Sequence, residues 1–295
     1  MAETAPSLRL YCFSHAGAGT SAFRGWARSV GPGVEPVPVL LPGREGRRRE
    51  PRLTDPDALA ADLLDRLGVE PGRPFALYGH SLGALVVHRL ARAMEEKGAP
   101  LPALIAVGAC PPPDAANELS DSSECSDEDL MDRLRDLGLL PDGAEHNGYW
   151  RRAVMPVLRD DLRLAHALRG AACGASATRG PLRVPLLAVS GEGDLLAPPE
   201  LVAGWRRWSV APVVTRTVSG DHFFVRGSGL PRLVGRACRV VQRLGGTGAA
   251  REQVPHGRGR TDPCDESARL GLRAAVGSPV TSAVTSAAKS PVQSL

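Results

Sequence analysis

Phe75-Ala76-Leu77-Tyr78-Gly79-His80-Ser81-Leu82-Gly83-Ala84-Leu85-Val86-Val87 is an apolar run that stops at a glycine, passes a serine and a second glycine, and continues at once as an apolar-periodic segment. That order reads as strand, sharp turn, helix. A serine at the apex of such a turn takes a strained backbone conformation, and strand and helix come too close for side chains at Gly79 and Gly83. Ser81 Oγ is thereby raised over the end of a sheet as a candidate nucleophile. The Leu82 N–H, at the start of the helix, points to where a carbonyl oxygen gains negative charge. G-x-S-x-G alone arises easily in a chain with 33 Gly, so the flanking strand and helix signals carry the reading.

Outward from this turn the chain alternates. Residues 8–14 and 34–41 read as strands, and a helix capped by Thr54 or Asp55 places Leu59, Leu63 and Leu67 on one face. The helix after Ser81 runs to Lys97-Gly98, and 103–109 is another buried strand. Strand and helix in alternation predict a mostly parallel sheet with helices on both faces, an α/β fold. The alternation stops at Pro111-Pro112-Pro113. From about 114 to 179 only helical signals occur: a capping box at Ser126, then a stretch from Tyr149 to Leu168 that Pro156 is expected to kink or split. A helical insertion at this point is placed to form a lid over a sheet-end pocket, the alternative being an additional packing layer. Strands at 184–190 and 213–218 and a closing helix at 230–244 complete the pattern. Residues 1–244 are therefore one α/β domain, and the Gly, Ala, Ser, Thr and Pro-rich stretch 245–295 is expected to be a disordered tail.

Composition narrows the function classes. Net charge is +4 from 36 basic and 32 acidic side chains, spread along the chain, which does not fit a nucleic-acid binder. The exception is 44–52, with five arginines in nine residues, read either as a solvated loop or as a contact for a phosphate or acidic partner through Arg44, Arg47, Arg48 and Arg49. Six cysteines without metal-ligand spacing read as reduced thiols, with no metal site expected. The longest apolar run, Leu101 to Cys110, is too short to span a bilayer. The expectation is a cytoplasmic, monomeric protein without membrane contact.

A serine hydroxyl needs a base to take its proton, and an imidazole serves best when a carboxylate fixes its tautomer. Asp194, in the turn after a strand, and His222, in the last post-strand loop, follow Ser81 in the order Ser, acid, His. Asp114, after the preceding strand, is the competing acid. His15 and His80 border the site as possible structural residues, and Glu192 and Asp221 read as turn residues. The Ala16 N–H, after the first strand, is the second oxyanion donor this reading expects.

Together, Phe13-Ser14-His15-Ala16-Gly17, Leu41-Pro42-Gly43-Arg44, Gly79-His80-Ser81-Leu82-Gly83, Leu158-Arg159-Asp160-Asp161, Gly193-Asp194 and Gly220-Asp221-His222-Phe223-Phe224 resemble the type II thioesterases that accompany polyketide and nonribosomal peptide synthases. The likeness covers about residues 8–244. It implies an α/β-hydrolase fold with a helical lid, a triad of Ser81, Asp194 and His222, and an oxyanion hole that includes the Ala16 amide. It also implies acyl or peptidyl carrier proteins as partners, with the substrate on their phosphopantetheine arm and no cofactor on the enzyme, the usual task being removal of stalled or aberrant acyl groups. Ser14 stands where a Pro is usual, Ala18 where a Gly is usual and Asp221 where a Gly is usual; these departures bear on the substrate range. Thioester cleavage suits such a triad, because a thiol of pKa ~8.5 leaves with little proton donation. Product release or acyl transfer by the same machinery, a carboxylesterase, and a non-catalytic binding protein on the same fold are the alternatives.

Overall fold

Six strands, β1 (Leu8–Phe13), β2 (Val34–Pro38), β3 (Phe75–His80), β4 (Leu104–Gly108), β5 (Leu186–Gly191) and β6 (Val213–Val218), form one parallel sheet in the order β2-β1-β3-β4-β5-β6. The computed structural model describes residues 7–251 except 71, 118, 141, 142, 145–147 and 149. Contacts divide the chain into Met1–Gln253 and Val254–Leu295, the second of which lies outside the described residues.

The helices are α1 (Trp26–Ser29), α2 (Pro56–Leu67), α3 (Leu82–Lys97), α4 (Asp127–Asp136), α5 (Met155–Arg179), α6 (Pro199–Val202) and α7 (Gly229–Arg251). Strands β3, β4 and β5 are buried along their whole length, as expected of parallel strands covered on both faces. The sheet ends in β2, where Pro36 and Pro38 limit further pairing, and in the half-exposed β6. On one face α2, α3 and part of α5 cover Leu77, Ile105 and Val107; on the other Trp26, Leu230, Val234 and Cys238 cover Leu10, Ala76 and Val189.

Local chemistry accounts for where the helices begin. Asp55 caps α2, its Oδ1 accepting from the N–H groups of Asp57 at 3.0 Å and Ala58 at 2.7 Å. Ser126 Oγ accepts from the Asp129 N–H at 3.1 Å and so starts α4.

Among the described residues no strand lies between β4 and β5, and a third apolar cluster forms there from Leu119, Leu130, Leu134, Met155, Leu158 and Leu162. The expected kink or split falls beside Pro156, where the helical stretch changes from a π-helical turn to α5. The π-helical turn at Trp150–Val154 runs directly into α5, and Pro156, its second residue, withholds an N–H from the carbonyls of that turn. The helix continues to Arg179, past the expected end at Leu168. Likewise α7 extends to Arg251, so the boundary expected at 244 falls inside a helix; the remainder of that stretch, 252–295, lies outside the described residues. Among the described residues no helix is long and apolar enough to cross a membrane.

Candidate active site

The sheet's order reverses between β1 and β3, since β1 is followed by β2 on one side and β3 lies on the other. A crevice at the carboxyl ends of such strands is where open α/β sheets bind ligands. Ser81 follows β3 there, at φ +54° and ψ −116°, outside the ordinary regions for a residue with a side chain. Its backbone is nonetheless satisfied: Ser81 N–H donates to Gly108 O at 2.8 Å, and Ser81 O accepts from Ala84 N–H at 2.9 Å. A Cβ at Gly79 would lie 2.0 Å from Gly83 O, and one at Gly83 would lie 2.2 Å from Phe13 O. Only glycine lets β3, α3 and β1 meet this closely.

Asp194 follows β5 and His222 follows β6. Both are buried, and His222 Nδ1 lies 3.0 Å from each Asp194 carboxylate oxygen. A carboxylate only accepts, so Nδ1 carries the proton and Nε2 is left with a free lone pair. Asp194 Oδ1 is itself held by the N–H groups of Leu196 and Ala197, each at 3.0 Å. Asp114 is elsewhere, bonded to Arg207 at 2.6 Å and Trp208 Nε1 at 3.2 Å.

His80 is fully buried and connects β3 to the last loop. Its Nε2 lies 2.7 Å from His222 O and its Nδ1 lies 2.6 Å from the Tyr78 hydroxyl. The carbonyl accepts from Nε2–H, so Nδ1 accepts from Tyr78. Burial, with His222 and His15 nearby, holds His80 well below the ordinary histidine range, and burial lowers His15 to about 4. His80 is thus a neutral positioning residue for His222, while His15 packs edge-on against His80 and Phe223. Asp221 shapes the same loop by accepting from the Phe223 N–H at 2.8 Å.

Two cavities open on Ser81. One of about 260 Å³ is lined by His15, Ala16, Gly17, Ser81, His222 and Phe223 from the sheet ends, and by Leu134, Trp150, Val154 and Leu158 from the helical insertion. The other, of about 40 Å³, is lined by Ala16, Ser81, Leu82, Cys110, Asn117 and Arg169 among others. Ala16 and Leu82, the expected oxyanion residues, both border Ser81. Burial pushes the Cys110 thiol up to about 12, so it is no thiolate at neutral pH.

The arginine loop differs from its expected role. Arg44 is buried and forms a two-pronged pair with Asp161 of α5, at 2.5 and 2.9 Å, and its Nη1 also donates to Ala18 O. Asp161 also accepts from Gly17 N–H at 2.7 Å, which ties the loop after β1 to the insertion. Arg47 is held by Glu50 and Asp62, and Arg52 pairs with Asp160. Arg44 and Arg47 therefore bind within the chain and are not free for a partner; Arg48 and Arg49 are exposed. The run of arginines carries no sign of this division, because the matching acids lie as far away as α5. Nor does the sequence carry a sign of the His80–His222 contact or of the place of Arg169, as each depends on contacts across distant segments.

The family model described as Thioesterase domain matches residues 8–239. The Streptomyces venezuelae protein "Thioesterase PikA5" is 32% identical over 224 residues, covering 74% of this chain and 76% of that protein. The Streptomyces griseus "Probable cadicidin biosynthesis thioesterase" is 30% identical over 226 residues, covering 75% of this chain but 59% of that protein. Among solved structures, RedJ, a thioesterase from the prodiginine biosynthetic pathway of Streptomyces coelicolor, superposes with a TM-score of 0.64 at 35% identity, covering 82% of this chain and 91% of RedJ.

Proposed function

Because this chain belongs to the thioesterase family, with an α/β-hydrolase fold and thioester hydrolysis as its reaction, we propose that Ser81, His222 and Asp194 are its catalytic triad. We propose further that its substrates are acyl groups on the phosphopantetheine arm of acyl or peptidyl carrier proteins, in polyketide or nonribosomal peptide synthesis. The observation that carries this reading is the buried Asp194 carboxylate on Nδ1 of His222, with His222 and the raised Ser81 lining one cavity. The biosynthetic setting is supported by the names of the relatives.

In this scheme His222 Nε2 takes the Ser81 proton as Oγ attacks the thioester carbonyl. The oxyanion accepts from the N–H groups of Leu82 and Ala16. Collapse breaks the C–S bond, and the imidazolium returns its proton to the sulfur, so the arm leaves as a thiol. Water, deprotonated by the same nitrogen, then attacks the acyl-serine; the acid departs and Ser81 regains its proton. Asp194 stays ionised and stabilises the imidazolium, and the scheme requires no cofactor. The 260 Å³ cavity reaches the surface at the exposed Ser21 and Arg226 and suits the entry of an arm from outside.

The test is intact-mass analysis of carrier proteins loaded with short, long and branched acyl groups. The expected result is loss of the acyl mass with the arm retained, in the presence of wild-type protein only. Carriers left acylated while small oxygen esters are cleaved would point to a carboxylesterase. Transfer of the acyl mass to an added nucleophile would point to product release.

A further inference from the structure

The smaller cavity beside Ser81 differs in kind from the larger one. No residue in its wall is exposed, and its lining from α3, the segment after β4, and α5 is apolar apart from Ser81, Asn117, Ser120 and Arg169. Arg169, on α5, is 8% exposed, and its Nη1 is buried without a hydrogen-bond partner. Among the described residues no ion pair neutralises it. The other buried arginines near the insertion are anchored, Arg44 on Asp161 and Ala18 O, and Arg92 on Glu95 and Gly180 O. Cys110, in the same wall, stays a neutral thiol and supplies no counter-charge. A desolvated guanidinium without an acid is costly unless something anionic meets it. Asn117 adds a donor, since its Oδ1 is engaged by the Ser120 N–H at 3.0 Å and the amide nitrogen remains.

We infer that Arg169 receives a carboxylate at the far end of the acyl group, so that half-thioesters of short dicarboxylic acids are favoured substrates. At about 40 Å³ the cavity has roughly three times the room one water needs. That suits a carboxylate and not a long alkyl chain. A planar guanidinium is also the side chain best matched to a carboxylate. The inference rests on the thioesterase reading above, and its test keeps the two apart.

Malonyl, succinyl and glutaryl thioesters of N-acetylcysteamine are compared with the same compounds methylated at the free carboxylate. For at least one chain length, kcat/KM for the half-acid should exceed that of its methyl ester by about tenfold or more. The ratio should fall to about one in Arg169→Met and recover in part in Arg169→Lys. Calorimetry with Ser81→Ala and the same pairs reads binding without turnover, and the half-acid should bind more tightly. Methyl esters that bind and turn over as well as the half-acids at every length would overturn the inference. An absence of turnover for every thioester, with the binding preference intact, would instead count against the hydrolytic reading and leave the carboxylate site standing.

Discussion

Ser81 sits in a backbone region that costs about 1–3 kcal/mol for a residue with a side chain, and the two flanking glycines make that geometry possible. Gly83→Ala should cost about 3 kcal/mol, at the upper end for overpacking, because the clash is with backbone rather than a movable side chain. Thermal unfolding should show a Tm lower by roughly 6–12 °C. Gly170→Ala, on an exposed helical position of α5 with nothing within 4 Å of the new Cβ, should leave Tm unchanged or raise it slightly. Equal effects would mean that the elbow is not tightly packed. At the same scale, Asp194→Asn should lower kcat by about 10⁴ through loss of the working tautomer. Asp114→Asn, whose partners are Arg207 and Trp208, should lower it by less than about threefold, since surface pairs contribute little. Steady-state kinetics on one thioester decides the order. The positions proposed for nucleophile, acid and base, Ser81, Asp194 and His222, were legible because each stands just after a strand beside small residues. His80 was visible as a residue but not as the group that holds the His222 carbonyl, since that contact spans 142 positions.

Among the elements, the insertion is held to the sheet end by Asp161, which binds Arg44 and the Gly17 N–H at once. Burial raises the Asp161 carboxyl above its ordinary value in spite of Arg44, so desolvation outweighs the pair's attraction there. Removing one partner of such a pair leaves an uncompensated charge, and Asp161→Asn should cost about 3–5 kcal/mol in urea unfolding. The double variant Arg44→Met, Asp161→Leu should cost less than Asp161→Asn, though it still leaves the Gly17 N–H without its acceptor. Additive losses would show that the two side chains act separately. The exposed Arg48 and Arg49 are the part of the loop still available to an acidic carrier. Changing both to Ser should lower kcat/KM on an acyl carrier about threefold at low salt, with the difference shrinking as salt rises. Turnover of a small neutral thioester should stay level. Arg47→Ser should instead lower stability, since Glu50 and Asp62 lose their shared partner. Helix existence was legible from periodicity and caps. Helix length in α5 was not: the change beside Pro156 was legible, but the continuation past Leu168 to Arg179 was not.

Taken whole, the molecule keeps two buried histidines, His80 and His88, and the partly buried His15 neutral. His15 is lowered to about 4 and His88 to about 3, and His80 lies well below the usual range, in each case chiefly through burial. Their folded-state values lie below the unfolded value of about 6.5. Between that value and the folded one the unfolded chain binds more protons, so stability is full above pH ~6.5 and falls as the pH drops. Each group contributes a slope of up to about 1.4 kcal/mol per pH unit. His88 packs against Trp205 and Trp208, away from Ser81. His88→Leu should therefore flatten the fall in urea midpoint between pH 6 and 4, and an unchanged slope would show that His88 is not titrating on unfolding. The strand order could be anticipated only as far as parallel alternation; placing β2 at the edge beside β1 needs the long-range pairing itself. The central claim is that an acyl group passes through Ser81. It is tested most directly by mixing the protein with an acyl-N-acetylcysteamine, quenching in acid within one turnover, and weighing the peptide that contains Ser81. The account predicts the acyl mass on Ser81 in wild-type protein and none anywhere in Ser81→Ala, with hydrolysis down by 10⁴ or more on the order of a lost triad serine. Acyl mass on Cys110, or an Ala variant that keeps more than about a tenth of the turnover, would contradict it.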